Sequence, residues 1–194
     1  MKSNKIPKVP TDKTIEPWET LSSVMALDEK WFPVRKDTVK LPSGKIINDF
    51  FVWITPHIVT VVPVTKDGKF ILCQQYRHGI STIIYQFPAG GAKKSESSED
   101  AARRELEEET GYVGGKLTHL TSVSPFAHKM TDLEDVYLIE GVTPDGVALD
   151  EEDEQINVVL KTPTELREMI DNNEIKTAVS LVGGLLALKK LGLD

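Results

Sequence analysis

Residues 90–112 constrain this chain more than any other stretch; they read GGAKKSESSEDAARRELEEETGY. A Ser- and Asp-rich turn over residues 95–100 leads into the helix-favouring run 101–109, and Gly111 stands where a helix ends in left-handed geometry. Ser97, with Asp100 three residues on, predicts the N-cap. At about 100° per residue, Glu105, Glu108 and Glu109 share one arc with Ala101 and Ala102. Arg103 and Glu107 point the other way, where they can pair at i,i+4. Glu105 and Glu109 are also four apart but alike in charge, a repulsion of about 0.2–0.5 kcal/mol. Composition alone reads this as a Glu-rich solvated helix. A helix that gathers carboxylates on one face otherwise has a cation to hold, and oxygen donors without His or Cys select Mg²⁺ or Mn²⁺ over zinc.

The spacing shifts the balance towards the cation. Gly90, five residues, Glu96, seven residues, Arg104-Glu105-Leu106, one residue, Glu108-Glu109, one residue and Gly111 together resemble the box of the Nudix family. Tyr112 departs from the strict pattern, which takes an aliphatic residue there. So many set positions in one window make a chance match improbable, unlike a lone glycine motif. The likeness extends upstream to Gln74-Gln75-Tyr76-Arg77 and Gln86-Phe87-Pro88-Ala89-Gly90, and downstream to Glu152-Asp153-Glu154-Gln155-Ile156-Asn157-Val158. These segments resemble the ADP-ribose pyrophosphatase and nucleoside diphosphate sugar hydrolase branch.

At 194 residues the chain is long enough for one sizeable core with a small appended element. A net charge of −7 argues against a nucleic-acid partner but not against a small nucleotide substrate. Cys73, the one cysteine, cannot form an intrachain disulfide and sits in a mostly apolar run, so a buried free thiol is expected. No apolar stretch reaches membrane-spanning length and residues 1–10 carry no signal-peptide pattern, so the expectation is a cytoplasmic protein with no membrane partner.

Along the chain, a loose polar arm precedes extended patterns around the turn at residues 41–45, with residues 45–54 expected to pair back on residues 32–39. Residues 1–55 thus form an arm and a small antiparallel β subdomain, and residues 56–194 form the catalytic domain. The latter opens with a strand at residues 58–64, whose Pro63 places its far end at a sheet edge or bulge. The turn 66–69, a return strand 70–75 and a short strand 83–87 follow. Beyond the helix come strands 116–124 and 135–142 joined by the loop 125–134, then an acidic loop 143–155 and a strand 156–160. A capping box, Thr162-Pro163-Thr164-Glu165, opens one further helix, and residues 177–191 form the last. Mixed strands flanked by helices make this an α/β chain, and the resemblance implies the Nudix α/β/α sandwich with a mixed sheet.

The resemblance also implies roles. Glu105 and Glu109 are the principal metal ligands and catalytic carboxylates, with Glu108 assisting and the Ala89 carbonyl completing the shell around Mg²⁺ or Mn²⁺. Gly90, Glu96, Arg104 and Gly111 are structural in the motif, Glu96 and Arg104 as an ion pair. Glu152 is the general base and Glu154 a further metal ligand, with Asp132 and Glu134 in the other long loop as competitors. Arg77 suits bidentate contact with a phosphate. Gln86 is a substrate contact, and Trp31 stacks on the base, as any π-face allows; a core or dimer-interface tryptophan is the alternative. The histidines 57, 78, 119 and 128 are expected to be structural or exposed. The N-terminal piece is expected to bury its aromatic residues in a homodimer.

Three departures bear on the substrate. Gln86 replaces the usual glutamate of the Glu-x-Pro-Ala-Gly pattern, Ser95 replaces a glycine, and Phe126 follows Pro125 where the branch has glycine. The expected activity is Mg²⁺-dependent hydrolysis of the pyrophosphate of ADP-ribose or a related nucleoside diphosphate sugar, giving a nucleoside monophosphate and a sugar phosphate. The rivals are a hydrolase of nucleoside triphosphates or dinucleoside polyphosphates, and a catalytically weak nucleotide-sugar-binding module.

Overall fold

A computed structural model describes residues 14–149 and 155–193. Its contacts divide the chain between Trp53 and Ile54 into two units. In the first, β1 (Glu19–Leu27), β2 (Val34–Lys40) and β3 (Ile46–Trp53) form an antiparallel sheet in that order. The turn between β2 and β3 closes through the Gly44 N–H to the Leu41 carbonyl. The expected pairing of residues 45–54 with 32–39 is there, and β1 adds an edge strand to it. All nine residues of β1 are exposed.

The second unit is built on a seven-stranded mixed sheet. Its main path runs β10 (Asn157–Lys161), β5 (Phe70–Arg77), β4 (Ile58–Thr65), β9 (Glu134–Val142) and β8 (Lys116–Val123). Two short strands complete it: β6 (Thr82–Gln86) pairs with β5, and β7 (Ala89–Gly91) pairs with β4. Among the described strands of this sheet only β4 and β9 run parallel. Helix α1 (Ser98–Thr110) covers one face, packing Ala101, Ala102 and Leu106 on Val59, Val61, Ile71 and Ile139. Helices α2 (Pro163–Asp171) and α3 (Ala178–Lys190) supply Leu166, Ala187 and Leu188 to the other face, around Val62, Leu72, Phe87 and Leu138. Two apolar clusters, one on each side of a sheet, are what an α/β/α sandwich requires. The capping box of α2 forms at Thr162 and Glu165. No helix among the described residues is long and apolar enough to cross a membrane.

Three local expectations change. Pro63 lies in a central strand, paired in register with Ile139 of β9, so it marks no edge; the expected bulge is there, as the register with β9 shifts between Val64 and Thr65. Val61, two residues earlier, sends its N–H the other way, to the Pro88 carbonyl. By the two-residue period Pro63 turns its missing donor to that same side, where β4 pairs with β7 only at residues 58–60 and with β5 only at Val64. Glu134 opens β9 instead of closing the preceding loop. Arg103 donates to the carbonyls of Gly114 and Gly115 at 3.2 and 3.4 Å, not to Glu107.

Candidate active site

Helix α1 carries the carboxylates, and both its ends are set by its own residues. The Ser97 hydroxyl accepts the Asp100 N–H at 3.1 Å, and Gly111, at φ 71°, closes the helix by donating to the Glu107 carbonyl. Between these caps, Ala101, Ala102 and Leu106 anchor one stripe in the core, which swings Glu105 towards β7. Glu105 is 8% exposed, and a Cβ built on Gly90 would lie 2.3 Å from its carboxylate. Any side chain at position 90 would therefore displace that carboxylate. Burial pushes the Glu105 pKa up, and Arg104 only partly offsets it.

Arg104 ties the loop to the helix. Its Nε and one Nη2 hydrogen reach Glu96, both at 2.9 Å, and the other Nη2 hydrogen reaches the Gly91 carbonyl at 2.9 Å. Nη1 donates to Glu105 at 2.7 Å and to Glu108 at 2.6 Å. All five guanidinium donors are thus used. The hydrogen bonds from Arg104, together with the Lys93 N–H, hold the Glu96 carboxyl down at about 2. Glu108 also meets Lys93 Nζ at 3.3 Å. Glu109 accepts the Ala89 N–H at 3.2 Å and the buried Cys73 thiol at 3.3 Å. Glu109 thus holds Ala89, and the Glu105 carboxylate fills the space beside Gly90, the next residue.

Beside that segment the sheet parts, and a cavity of about 660 Å³ opens, lined among others by Thr60, Arg77, Gln86, Ala89, Glu134 and the first turn of α3. Arg77 Nε donates to Gln86 Oε1 at 3.0 Å, so these two sequence candidates meet each other on the cavity wall. Glu134 is 7% exposed and accepts the Thr60 hydroxyl; burial raises its pKa and that bond offsets only part of the rise. Trp31 belongs to the first unit, is 81% exposed and has the Lys30 ammonium 4.1 Å from its ring centroid. Glu152 and Glu154 lie outside the described residues.

A second polar cluster outlines a hydrolytic relay without being one. His57 Nε2 lies 3.3 Å from Ser98 Oγ, and His57 Nδ1 lies 3.2 Å from Asp132. Asp135 breaks the relay by taking both His57 Nε2, at 3.0 Å, and the Ser98 hydroxyl proton, at 2.7 Å. A carboxylate lies on each ring nitrogen, and the Ser98 proton goes to Asp135 and not to the imidazole. Burial opposes its charge, but the bonds to Asp135 and Asp132 outweigh it and raise its pKa. The cluster joins the first residue of α1 to β9 and the entry of β4, and Asp132 takes part in it through His57.

The donor set on α1 suits a hard divalent cation. Among the described residues no three acidic, imidazole or thiol groups converge on one point, because Arg104 draws in Glu105 and Glu108 while Glu109 turns to Ala89. Yet all three donors are carboxylates, one is buried, and glycine at position 90 leaves the space a Cβ would fill. Sequence reasoning missed Thr60 and the first turn of α3 as neighbours of this site. Neither belongs to the carboxylate motif, and a Thr before an apolar helix is ordinary cap chemistry.

Residues 55–179 match the family model described as the NUDIX domain. This chain is a Nudix hydrolase. Residues 18–53 of this Nudix hydrolase match a second model, the nucleoside diphosphate sugar hydrolase N-terminal domain. It is 32% identical over 168 residues to the ADP-ribose pyrophosphatase of Bacillus subtilis (strain 168), covering 84% of this chain and 90% of that protein. It is 26% identical over 165 residues to the methanol dehydrogenase activator of Bacillus methanolicus, covering 84% and 89%. A crystal structure of an ADP compounds hydrolase shares the fold, with a TM-score of 0.81 at 21% identity over 94% of this chain and 100% of that one.

Proposed function

We propose that this Nudix hydrolase cleaves the pyrophosphate bond of ADP-ribose or a related nucleoside diphosphate sugar in the cytoplasm, giving a nucleoside monophosphate and a sugar phosphate. The observation that carries this reading is the contact of the α1 carboxylates with Ala89 and Gly90, beside a cavity that Ala89 also lines and that holds polar groups of both signs. The match of residues 18–53 to a nucleoside diphosphate sugar hydrolase domain supports the substrate class.

Nudix hydrolases use divalent metal ions. Here Glu105, Glu108, Glu109 and the Ala89 carbonyl would hold Mg²⁺, with Mn²⁺ as a substitute and Glu154 as a further ligand. Such a cation supplies charge neutralisation at the pyrophosphate and a more acidic bound water. The chain's own residues do the rest. Glu152 takes a proton from the attacking water, Arg77 pairs with a phosphate, Gln86 fixes Arg77 and contacts the substrate, and Trp31 stacks on the base. Glu96 and Arg104 keep the Gly91 carbonyl and the helix in register. The first unit acts as a dimerisation surface: β1 is an edge strand exposed along its length, and Val24, Met25 and Phe32 are each about half exposed.

The test is a panel of nucleoside diphosphate sugars, nucleoside triphosphates and dinucleoside polyphosphates incubated with Mg²⁺ and scored for phosphate released by a phosphatase. The diphosphate sugars are expected to lead. Faster turnover of triphosphates would overturn the reading.

A further inference from the structure

We propose that Cys73 is a positioning residue for the candidate metal site: its thiol, with the Ala89 N–H, fixes the orientation of the Glu109 carboxylate. This rests on the reading of Glu109 as a cation ligand and adds to it a residue outside the carboxylate motif. By the two-residue period Cys73 shares the face of β5 with Ile71, which packs against α1. Its Sγ donates to Glu109 Oε2 at 3.3 Å, and the Ala89 N–H donates to Oε1 at 3.2 Å. One donor thus meets each carboxylate oxygen. Together they set the direction and the plane of the group, and each oxygen has two lone pairs, so accepting one bond does not exhaust it.

The two donors come from separate parts of the sheet. Cys73 is fully buried and held in register between Gln86 of β6 and Val158 of β10. Ala89 stands on β7, opposite Thr60 of β4. Strand β4 meets β5 only at Val64, so Glu109 spans the place where the sheet parts. The kind of donor matters as well. All five guanidinium donors of Arg104 go elsewhere, to Glu96, Glu105, Glu108 and the Gly91 carbonyl. A thiol and a backbone N–H orient a carboxylate without cancelling its charge, whereas an ammonium or guanidinium would have to be displaced by an arriving divalent cation. Outer partners of metal ligands typically contribute about 10–100-fold in metal affinity, and a thiol is a weak donor, so its share falls at or below the lower end.

The chain has a single cysteine, so its S–H stretch in the infrared spectrum reports on Cys73 alone and needs no change at position 73. In the metal-free protein Glu109→Gln replaces a charged acceptor by a neutral one, and the weaker bond should move that band to higher frequency. An unmoved band would overturn the proposal. Mn²⁺ affinity, read by calorimetric titration without substrate, tests the consequence. Cys73→Val, which removes the donor, should weaken Mn²⁺ binding about three- to tenfold, and Cys73→Ser, which keeps one, should stay within about twofold of wild type. In the Glu109→Gln background Cys73→Val should change Mn²⁺ affinity by less than about twofold, because the charged ligand it positions is gone. A change of the same size in both backgrounds, or equal or tighter binding in Cys73→Val itself, would overturn the positioning role. If Glu109→Gln binds Mn²⁺ as wild type does, the ligand reading falls, and the hold of Cys73 on Glu109 then stands or falls with the infrared band.

Discussion

Replacing Arg104 by lysine keeps the charge and removes the fork, which isolates what the guanidinium geometry contributes. Arg104 satisfies Glu96 twice, Glu105, Glu108 and the Gly91 carbonyl. An ammonium has three donors, so at least two of these five bonds are lost. Bonds to charged groups contribute roughly 1.5–3 kcal/mol each. The side chains of Arg104, Glu96 and Glu105 are 18%, 15% and 11% exposed, so water replaces only part of what is lost. Discounting by about half for that water and for relaxation leaves a destabilisation of about 1.5–3 kcal/mol. For a chain of this size that lowers the melting temperature by about 5–10 °C. The assay is calorimetry of wild type and Arg104→Lys in a chelator, followed by activity against pH. Burial already raises the Glu105 pKa, and weakening Arg104's hold raises it further, so the acid limb of the activity profile moves to higher pH. A melting temperature within about 2 °C of wild type, with an unmoved acid limb, would refute the assignment of Arg104 as the tie between loop and helix.

Gly90→Ala should cut activity about a hundredfold while barely moving the melting temperature, because the Cβ meets the far end of the Glu105 side chain and not backbone; activity within threefold, measured at saturating Mg²⁺, contradicts this. His57 makes the metal-free protein pH-sensitive. Its folded pKa is raised, so its contribution is fully present below the unfolded value of about 6.5 and is lost as pH rises through the folded value. Wild type should therefore lose melting temperature relative to His57→Gln as pH rises above about 6.5 in calorimetric scans, and parallel curves would remove the ion-pair account. Asp135 does the opposite: burial opposes its charge, but bonds from Ser122, Ser98 and His57 hold it at about 2, so its contribution fades only as pH falls through that value. Light scattering at micromolar concentration should give the mass of a homodimer; a monomer mass ends that proposal.

What the sequence disclosed, and what it withheld, follow from the range of the physics involved. Helix α1 was legible because Ser97 and Gly111 cap it locally, and the three-layer fold because periodicities of two and 3.6 survive in a single chain. The free thiol was legible from a lone cysteine in an apolar run, but its bond to Glu109 was not, since the two lie 36 residues apart. Pro63 signalled the bulge that follows between Val64 and Thr65 but not its central strand, because the rule that excludes proline from such strands assumes a complete ladder on both sides, and here the sheet parts beside it. Arg103 found carbonyls of Gly114 and Gly115, whose approach depends on the chain reversal after Gly111. The cavity needed β4, β9 and α3 brought together, and no local pattern announces that Glu134 and the first turn of α3 line it together.

The central claim is that the carboxylate face of α1 holds a divalent cation, and the most direct measurement is Mn²⁺ binding by electron paramagnetic resonance, which needs no substrate. Free Mn²⁺ gives a sharp six-line signal that broadens when bound, so titrating wild type, Glu105→Gln and Glu109→Gln reads occupancy alone. Wild type should bind Mn²⁺, Mg²⁺ should displace it, and each variant should bind at least about tenfold more weakly, a loss of about 1.4 kcal/mol. Equal Mn²⁺ affinity in all three proteins would contradict the assignment of Glu105 and Glu109 as ligands.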